Sequence, residues 1–207
     1  MFVRFILTSL LLLSVADSAP LLELREPNCP SEFGPEPRTA AERERREAWN
    51  PYVKILPTLE AKLPKAPDAT ISMPVQGVRV AQVSDTFAAP RSGGRKHEGQ
   101  DIFAKRGTPV YSATNGIVWR LANTPLGGNW IFVVGAGGRR YYYAHLDRYA
   151  PNLKEGQNVT TNTLLGYVGT TGNAETTPPH LHFEVNAGSQ AKCDYRAINP
   201  LPLLRDR

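Results

Sequence analysis

Apolar and polar residues alternate over several short segments that follow residue 73. Successive side chains of a β-strand point to opposite faces, so this alternation predicts strands with one buried face. The predicted strands lie at residues 75–83, 109–113, 116–121, 130–134, 140–145, 164–168 and 180–185. Glycine-rich turns separate them, which favours a mostly β domain built on an antiparallel, sandwich-like sheet.

The preceding segment, residues 20–72, has a different pattern. Residues 39–49 combine strong helix formers with no glycine or proline, which predicts a helix. We expect Asn50-Pro51 to end it, because the residue before a proline avoids helical backbone angles. A second short helix is predicted at residues 56–63. The chain is therefore divided into an N-terminal extension with short helices at 20–72 and a domain at 73–207.

The first residues have the pattern of an export signal. Arg4 precedes an apolar run at residues 5–15, and Ser14-Val15-Ala16 fits a small-x-small cleavage site, with Ala19 as a second possible end. Asp17 ends the run before the roughly 20 apolar residues of a membrane span. We predict a signal peptide at residues 1–16 that is removed, with an uncleaved anchor as the alternative. No later segment is apolar enough to cross a bilayer.

Net charge limits the classes of binding partner, and the two cysteines limit the possible disulfide bonds and zinc ligands. The net charge of +5 suits an anionic cell wall, a membrane surface or a nucleic acid. The basic residues form no dense block or recognition helix, so no nucleic-acid partner is expected. Cys29 and Cys193 could form one disulfide in an exported chain or remain two thiols. Neither has the spacing of a zinc ligand.

The four histidines occupy distinctive positions. His180 and His182 are two residues apart on a predicted strand, so both face the same side, together with Glu184. Two imidazoles on one strand face could bind zinc or could be ordinary surface histidines. His145 ends a tyrosine-rich strand, where a structural hydrogen-bonding role is also common.

His97 and Asp101 form a third candidate pair. On a straight strand, four residues would separate them by about 13 Å, which is too far for two ligands of one metal. A bend at Gly99 would bring them together, because glycine accepts backbone angles that other residues avoid. A catalytic zinc needs three protein ligands and one open position, and two imidazoles with one carboxylate supply them. The HExxH pattern of helical metalloproteases is absent.

Taken in order, these segments resemble the lysostaphin/LytM-type zinc endopeptidases. The resemblance is carried by His97-Glu98-Gly99-Gln100-Asp101, Tyr143-Ala144-His145-Leu146 and His180-Leu181-His182-Phe183-Glu184, and it covers roughly residues 73–204. It implies an antiparallel sheet that forms the floor of a groove, with loops as its walls. It also implies an enzyme that cleaves peptide crosslinks of peptidoglycan, and the predicted export signal adds a periplasmic or cell-wall location. A D,D-endopeptidase acting on stem-peptide crosslinks is the first expectation.

The resemblance also implies residue roles. His97, Asp101 and His182 would bind one zinc ion per chain, and zinc-bound water would be the nucleophile. His145 and His180 would be the catalytic pair, one for proton transfer and the other to stabilise the oxyanion, in an order that the sequence leaves open. Glu184 could orient a ligand histidine or be a plain surface carboxylate.

Two departures from the family pattern stand out. Some relatives carry a tyrosine shortly before the first motif, whereas here that stretch contains Arg91, Arg95 and Lys96. Asn162 stands at a turn where relatives often have glycine.

Three alternatives remain at this point. The chain could be a non-catalytic relative that binds peptidoglycan or activates an amidase. It could instead be an exported peptidase that acts on Gly-rich proteins. The extension at 20–72 could brace the domain or cover its groove as a regulatory arm.

Overall fold

The computed structural model of the protein describes residues 39–91, 94–188 and 195–207. The predicted signal peptide at 1–16 and both cysteines, Cys29 and Cys193, lie outside these residues. Within the described ranges, no helix combines the length and the apolar character that a membrane crossing requires.

The extension contributes one long helix, α1, which spans Ala40–Glu60. The predicted end at Asn50-Pro51 is therefore wrong, because α1 continues through Pro51 and Pro57. A proline inside a helix leaves the carbonyl of the preceding turn without its partner. Both prolines lie on the exposed side of α1, where water can satisfy those carbonyls. Burial of Leu56 and Leu59 on the opposite side holds the second half of the helix in place.

The remainder of the described chain is mostly β. In chain order the strands are β1 (Ile71–Ser72), β2 (Gln100–Phe103), β3 (Pro109–Tyr111), β4 (Gly116–Thr124), β5 (Gly128–Gly135), β6 (Arg140–Tyr149), β7 (Asn158–Val159), β8 (Leu164–Val168), β9 (His180–Ala187), β10 (Arg196–Ile198) and β11 (Leu204–Arg205). The main sheet is antiparallel and follows the order β10-β9-β6-β5-β4-β7. β2 pairs with β9, while β8 pairs with the end of β6 and with β3. The expected mostly β, antiparallel fold with a helical extension is confirmed.

One predicted strand does not form. The segment at 75–83 makes only an isolated bridge, between Val75 and Val110, followed by a turn at Gly77 and a 3-10 turn at Val80–Gln82. Val75 is instead buried within the core, and Val78, Val80 and Val83 are partly buried against it. The other predicted strands coincide with β3, β4, β5, β6, β8 and β9.

The core lies against one face of the sheet. On β9, Leu181, Phe183 and Val185 are fully buried in this core, as their alternation predicted. The opposite face of β9 carries His180 and His182. Strand β1 pairs with β11 in parallel at the edge of the core, so strand pairing begins two residues before the expected domain start at 73.

Helix α1 packs on the histidine-bearing face of the sheet. Phe132 pairs directly with Tyr142, and Tyr142 pairs with Glu184, so all three share the face of His182. Leu56 and Leu59 of α1 pack into a second cluster on this face, with Ile117, Trp119, Val134 and partly buried Phe132. The indole N–H of Trp119 donates to the Tyr52 carbonyl at 2.8 Å. Helix α1 therefore covers the part of this face that lies beyond the histidines.

Candidate metal centre

Strands β2 and β9 bring two of the predicted ligands side by side. Their antiparallel register places Asp101 directly opposite His182. Directly paired residues point to the same face of a sheet, so the carboxylate and the imidazole meet. The pairing also keeps His180, two residues before His182, on this face.

The third predicted ligand, His97, reaches the cluster from a short hairpin. Backbone hydrogen bonds join Ala88 N to His97 O at 2.8 Å and His97 N to Ala89 O at 2.9 Å. The chain then bends at Gly99, as predicted, but for another reason: its backbone is not in the left-handed region. A Cβ on Gly99 would lie 2.6 Å from the Phe183 carbonyl oxygen. Only glycine lets β2 begin this close to β9.

The three ligand atoms form a compact triangle. His97 Nε2 lies 2.9 Å from His182 Nδ1, and Asp101 Oδ1 lies 3.1 Å from each of these nitrogens. Bonds of about 2.0–2.1 Å in tetrahedral zinc sites place neighbouring ligand atoms roughly 3.3 Å apart. The spacing and the donor set of two imidazoles and one carboxylate both fit a zinc ion.

Hydrogen bonds on the outer side of each ring fix its orientation. His97 Nδ1 lies 2.7 Å from the Thr86 carbonyl, and His182 Nε2 lies 2.7 Å from Glu184 Oε1. Both oxygens can only accept, so these outer nitrogens carry the protons. In the neutral rings, His97 Nε2 and His182 Nδ1 therefore carry lone pairs that point toward each other and toward the Asp101 carboxylate. Such an arrangement requires a positive charge between them, which a metal ion or a proton can supply.

The pKa values of His182 and Asp101 also indicate that this cluster favours a positive charge. Burial disfavours the imidazolium of His182, but hydrogen bonds to Asp101 and Glu184 outweigh burial and raise its pKa to about 9. Burial likewise opposes ionisation of Asp101, yet hydrogen bonds with His182, His97 and Arg91 hold its pKa well below the usual range. Asp101 is therefore a carboxylate at neutral pH.

His145 stands at an irregularity in β6. The register between β5 and β6 shifts opposite this residue, and its φ of 61° lies in the left-handed region that non-glycine residues rarely adopt. Its Nδ1 lies 2.9 Å from the Thr171 carbonyl, so this nitrogen donates and Nε2 keeps a lone pair. Burial and the neighbouring His182 lower the pKa of His145 to about 4. Strained backbone of this kind is frequent in functional sites.

His180 has a matching arrangement. Its Nδ1 lies 2.8 Å from the Pro178 carbonyl, which leaves Nε2 as an acceptor 3.8 Å from Asp101 Oδ1. The ring centroids of His145 and His180 are 5.1 Å apart. The two histidines therefore stand next to each other beside the ligand triangle.

A groove with a volume of about 380 Å³ opens over all five predicted site residues. One wall contains Arg91, Arg95 and Lys96, the stretch in which some relatives carry a tyrosine. Arg91 Nη2 donates to Asp101 Oδ2 at 2.6 Å, so this arginine contacts the ligand carboxylate directly. Glu184 also faces the groove, and its hydrogen bond to His182 supports the orienting role over that of a plain surface carboxylate.

Sequence reasoning missed the polar network behind His97. The amide of Gln100, fully buried, donates to Asp85 Oδ1 at 2.6 Å and to Asn199 Oδ1 at 2.9 Å. Its oxygen accepts from Thr86 N at 2.8 Å, and the Thr86 carbonyl in turn accepts from His97. The signal in the sequence was a polar residue at an inward position between two ligands, but its partners are far away in the chain.

Comparison with known proteins agrees with this geometry. Residues 95–200 match the sequence model of peptidase family M23. The chain is 39% identical over 97 residues to an L-Ala–D-Glu endopeptidase of Bacillus subtilis, a match that covers 44% of this chain and 30% of the relative. It is 35% identical over 89 residues to the peptidoglycan DD-endopeptidase ShyA of Vibrio cholerae, covering 43% and 20%.

A solved structure extends the match to three dimensions. The crystal structure of a zinc-containing peptidase from Vibrio cholerae superposes with a TM-score of 0.53 and 28% identity, covering 65% of this chain and 40% of that one. The chain spans only 20–30% of the length of the curated relatives named above. The family match covers about half of the chain and contains the histidines and the aspartate of the groove; the chain belongs to peptidase family M23, which confirms the resemblance derived from its three motifs.

Proposed function

We propose that the protein is an exported zinc metalloendopeptidase that hydrolyses peptide crosslinks of bacterial peptidoglycan. The observation that carries this proposal is the triangle of His97 Nε2, Asp101 Oδ1 and His182 Nδ1, with two further histidines beside it. The predicted signal peptide supports export, and the names of the two relatives given above support a peptidoglycan substrate.

In this proposal, His97, Asp101 and His182 hold the metal. Zinc, when bound, polarises the scissile carbonyl and lowers the pKa of a water molecule toward about 7. Thr86 and Glu184 keep the two ligand rings in the tautomers that binding requires. Such outer partners are typical of metal-binding histidines.

His145 and His180 would move the proton. Each has its Nδ1 proton held by a backbone carbonyl, and each turns Nε2 toward the groove as an acceptor. One of them takes a proton from the attacking water and returns it to the leaving amine, a contribution typically worth about 10²–10⁴-fold. The other would stabilise the oxyanion that develops on the scissile carbonyl, in an order of roles that the geometry leaves open.

Among peptidoglycan bonds, we propose a D,D-crosslink between stem peptides as the substrate. ShyA is named a DD-endopeptidase, and export to a periplasm would bring the enzyme to such crosslinks. The Bacillus subtilis relative is named for a different bond, L-Ala–D-Glu. Mass spectrometry of the fragments released from defined crosslinked muropeptides distinguishes the two.

Two substitutions test the assignment of roles. His182→Ala is expected to abolish zinc binding and hydrolysis together, because it removes one of three ligands. His145→Ala is expected to retain zinc while turnover falls by at least about 10²-fold. Zinc content by atomic absorption and release of muropeptides from purified sacculi measure both. Full turnover by metal-loaded His145→Ala protein would show that the role given to His145 is wrong.

The same assay decides the alternatives. A non-catalytic relative would leave the sacculi intact while zinc is bound. A peptidase for Gly-rich proteins would release peptides from such a protein and none from sacculi.

A further inference from the structure

Exposed apolar side chains are concentrated at the groove. Among the described residues, three large hydrophobic side chains are exposed: Ile55 at 46%, Phe103 at 54% and Leu126 at 54%. Phe103 and Leu126 both line the groove. Apolar side chains gathered at a concave site usually contact a ligand, whereas single exposed ones are common and need no explanation.

Phe103 is held next to His180 by the sheet. It is the last residue of β2, it shares a face with Asp101, and it pairs directly with His180 across the strands. The centroids of the two rings are 5.3 Å apart. One side of the phenyl ring therefore rests on His180, while about half of the side chain stays exposed at the groove.

Leu126 holds the corresponding place near His145. It lies in the turn between β4 and β5, where its carbonyl accepts from Asn173 N at 3.1 Å. The next residue, Gly127, accepts from His145 N at 2.9 Å and donates to Thr124 Oγ1 at 3.1 Å. The backbone of the turn is thus fixed on both sides, and the leucine side chain projects into the groove lining with 54% of its surface exposed.

We infer that Phe103 and Leu126 form two apolar subsites for the residues that flank the scissile bond. The substrate would then carry a small apolar side chain, such as the methyl group of alanine, on at least one side of that bond, rather than a pair of glycines. This inference rests on the proposed function, because it takes the scissile bond to lie at His145 and His180.

The physical reason is the area that each kind of residue can bury. A methyl group placed against a phenyl ring or a leucine side chain leaves water, and the gain in binding free energy is proportional to the apolar area removed from solvent. Glycine offers no side chain for this contact. One methyl or methylene group in an apolar site changes binding by about tenfold or more.

Binding without turnover provides the test. Two synthetic peptides of equal length differ only at the two residues flanking the scissile bond, with D-alanine in one and glycine in the other. Their dissociation constants are measured by calorimetry with zinc-loaded full-length protein carrying His145→Ala, which suppresses cleavage. The alanyl peptide is expected to bind about tenfold more tightly.

Three further substitutions in the His145→Ala protein show which side chains cause the preference for the alanyl peptide. Phe103→Ala or Leu126→Ala is expected to reduce the tenfold ratio toward unity, and Phe103→Leu is expected to retain it. Ile55→Ala is the matched control, since it removes the exposed side chain that does not line the groove. Equal affinity for the two peptides, or an unchanged ratio in both alanine variants, overturns the inference.

Turnover by the unmodified protein is scored separately. If neither the peptides nor sacculi are cleaved while the alanyl preference persists, the proposed hydrolase function is wrong, and Phe103 and Leu126 form apolar subsites for a bound peptide instead of a cleaved one. If cleavage occurs without a preference, the hydrolase function stands and the subsites do not.

Discussion

Each histidine in the groove is held by a protein oxygen on its outer side. Carbonyls of Thr86, Thr171 and Pro178 hold His97, His145 and His180, and the carboxylate of Glu184 holds His182. Because the protein fixes four tautomers in this way, all four remaining nitrogens present lone pairs to the same groove. The chemistry of the site therefore depends on the protein oxygens that orient the four rings.

Glu184 provides the clearest test of this dependence. Glu184→Ala removes the acceptor for His182 Nε2, so the ring loses the bond that fixes its tautomer. Zinc affinity is expected to fall about 10–100-fold. Glu184→Gln, whose amide oxygen can still accept, is expected to recover most of it, and exposed Glu47→Ala is a control. Titration against a competing chelator measures the affinities; equal affinity for all variants would contradict the orienting role.

Gln100 acts one step further from the metal. Gln100→Leu keeps the side-chain volume similar but leaves Asp85 and Asn199 without their buried donor and Thr86 without its acceptor. We expect a loss of about 1–3 kcal/mol in the free energy of unfolding, measured by urea denaturation. Zinc affinity should fall as well, because Thr86 positions His97. Exposed Gln76→Leu serves as the control, and unchanged affinity in Gln100→Leu would show that the network is only structural.

At the scale of elements, six of the seven predicted strands formed, whereas the extent of the helix was wrong: the helices predicted at 39–49 and 56–63 are one helix that ends at Glu60. Strands β8 and β9 begin where alternation of apolar residues begins, because a sheet with one buried face imposes that alternation on the sequence. Helix α1 contains two prolines, which local rules treat as ends. Its continuity depends on Leu56 and Leu59, whose contacts on the sheet are distant in the chain.

The proline at position 51 gives a prediction for α1. Because Pro51 lies inside a continuous helix and on its exposed side, Pro51→Ala restores a backbone donor and removes no packing. Thermal unfolding is expected at a higher temperature, with a gain of up to about 3 kcal/mol in the free energy of unfolding. Pro151→Ala, in an exposed turn after β6, is expected to gain nothing. No gain from Pro51→Ala would mean that the helix ends where the sequence alone suggested.

For the whole molecule, the question is what the N-terminal extension does. The described part of the extension packs beside the groove, on the same sheet face, and covers Ile117, Trp119 and Val134. Burial raises the pKa of the half-buried Glu60 at the end of α1, and the charge of the fully buried Arg140 on this face partly opposes that rise. These contacts favour a bracing role for α1 over a regulatory arm.

Two truncations separate bracing from regulation. Removal of residues 1–66 deletes α1 and exposes the sheet residues on which Leu56 and Leu59 pack. Each buried leucine that is lost contributes about 1.5–3 kcal/mol to the free energy of unfolding. We expect loss of stability or aggregation, without increased hydrolysis of sacculi. Removal of residues 1–38 leaves α1 intact and is expected to preserve stability. A stable, more active protein lacking 1–66 would identify the extension as an inhibitory arm.

The sequence by itself determined the class of fold and the family, and it predicted five side chains that the structure brings together in one groove. Strand alternation and short motifs each depend on residues that are close together in the chain. They can therefore be recognised without knowledge of the tertiary structure. His97, Asp101 and His182 were named as zinc ligands through the resemblance of the three motifs to the lysostaphin/LytM-type family, and their role as ligands stays a prediction.

Only the tertiary structure decided how those side chains are held and what surrounds them. The approach of β2 to β9 at Gly99, the strained backbone of His145 and the Gln100 network depend on partners far away in the chain. The same is true of α1 on the sheet and of the exposed Phe103 and Leu126 over the groove. Contacts between distant segments follow from packing of the whole chain, and no local pattern of residues encodes them.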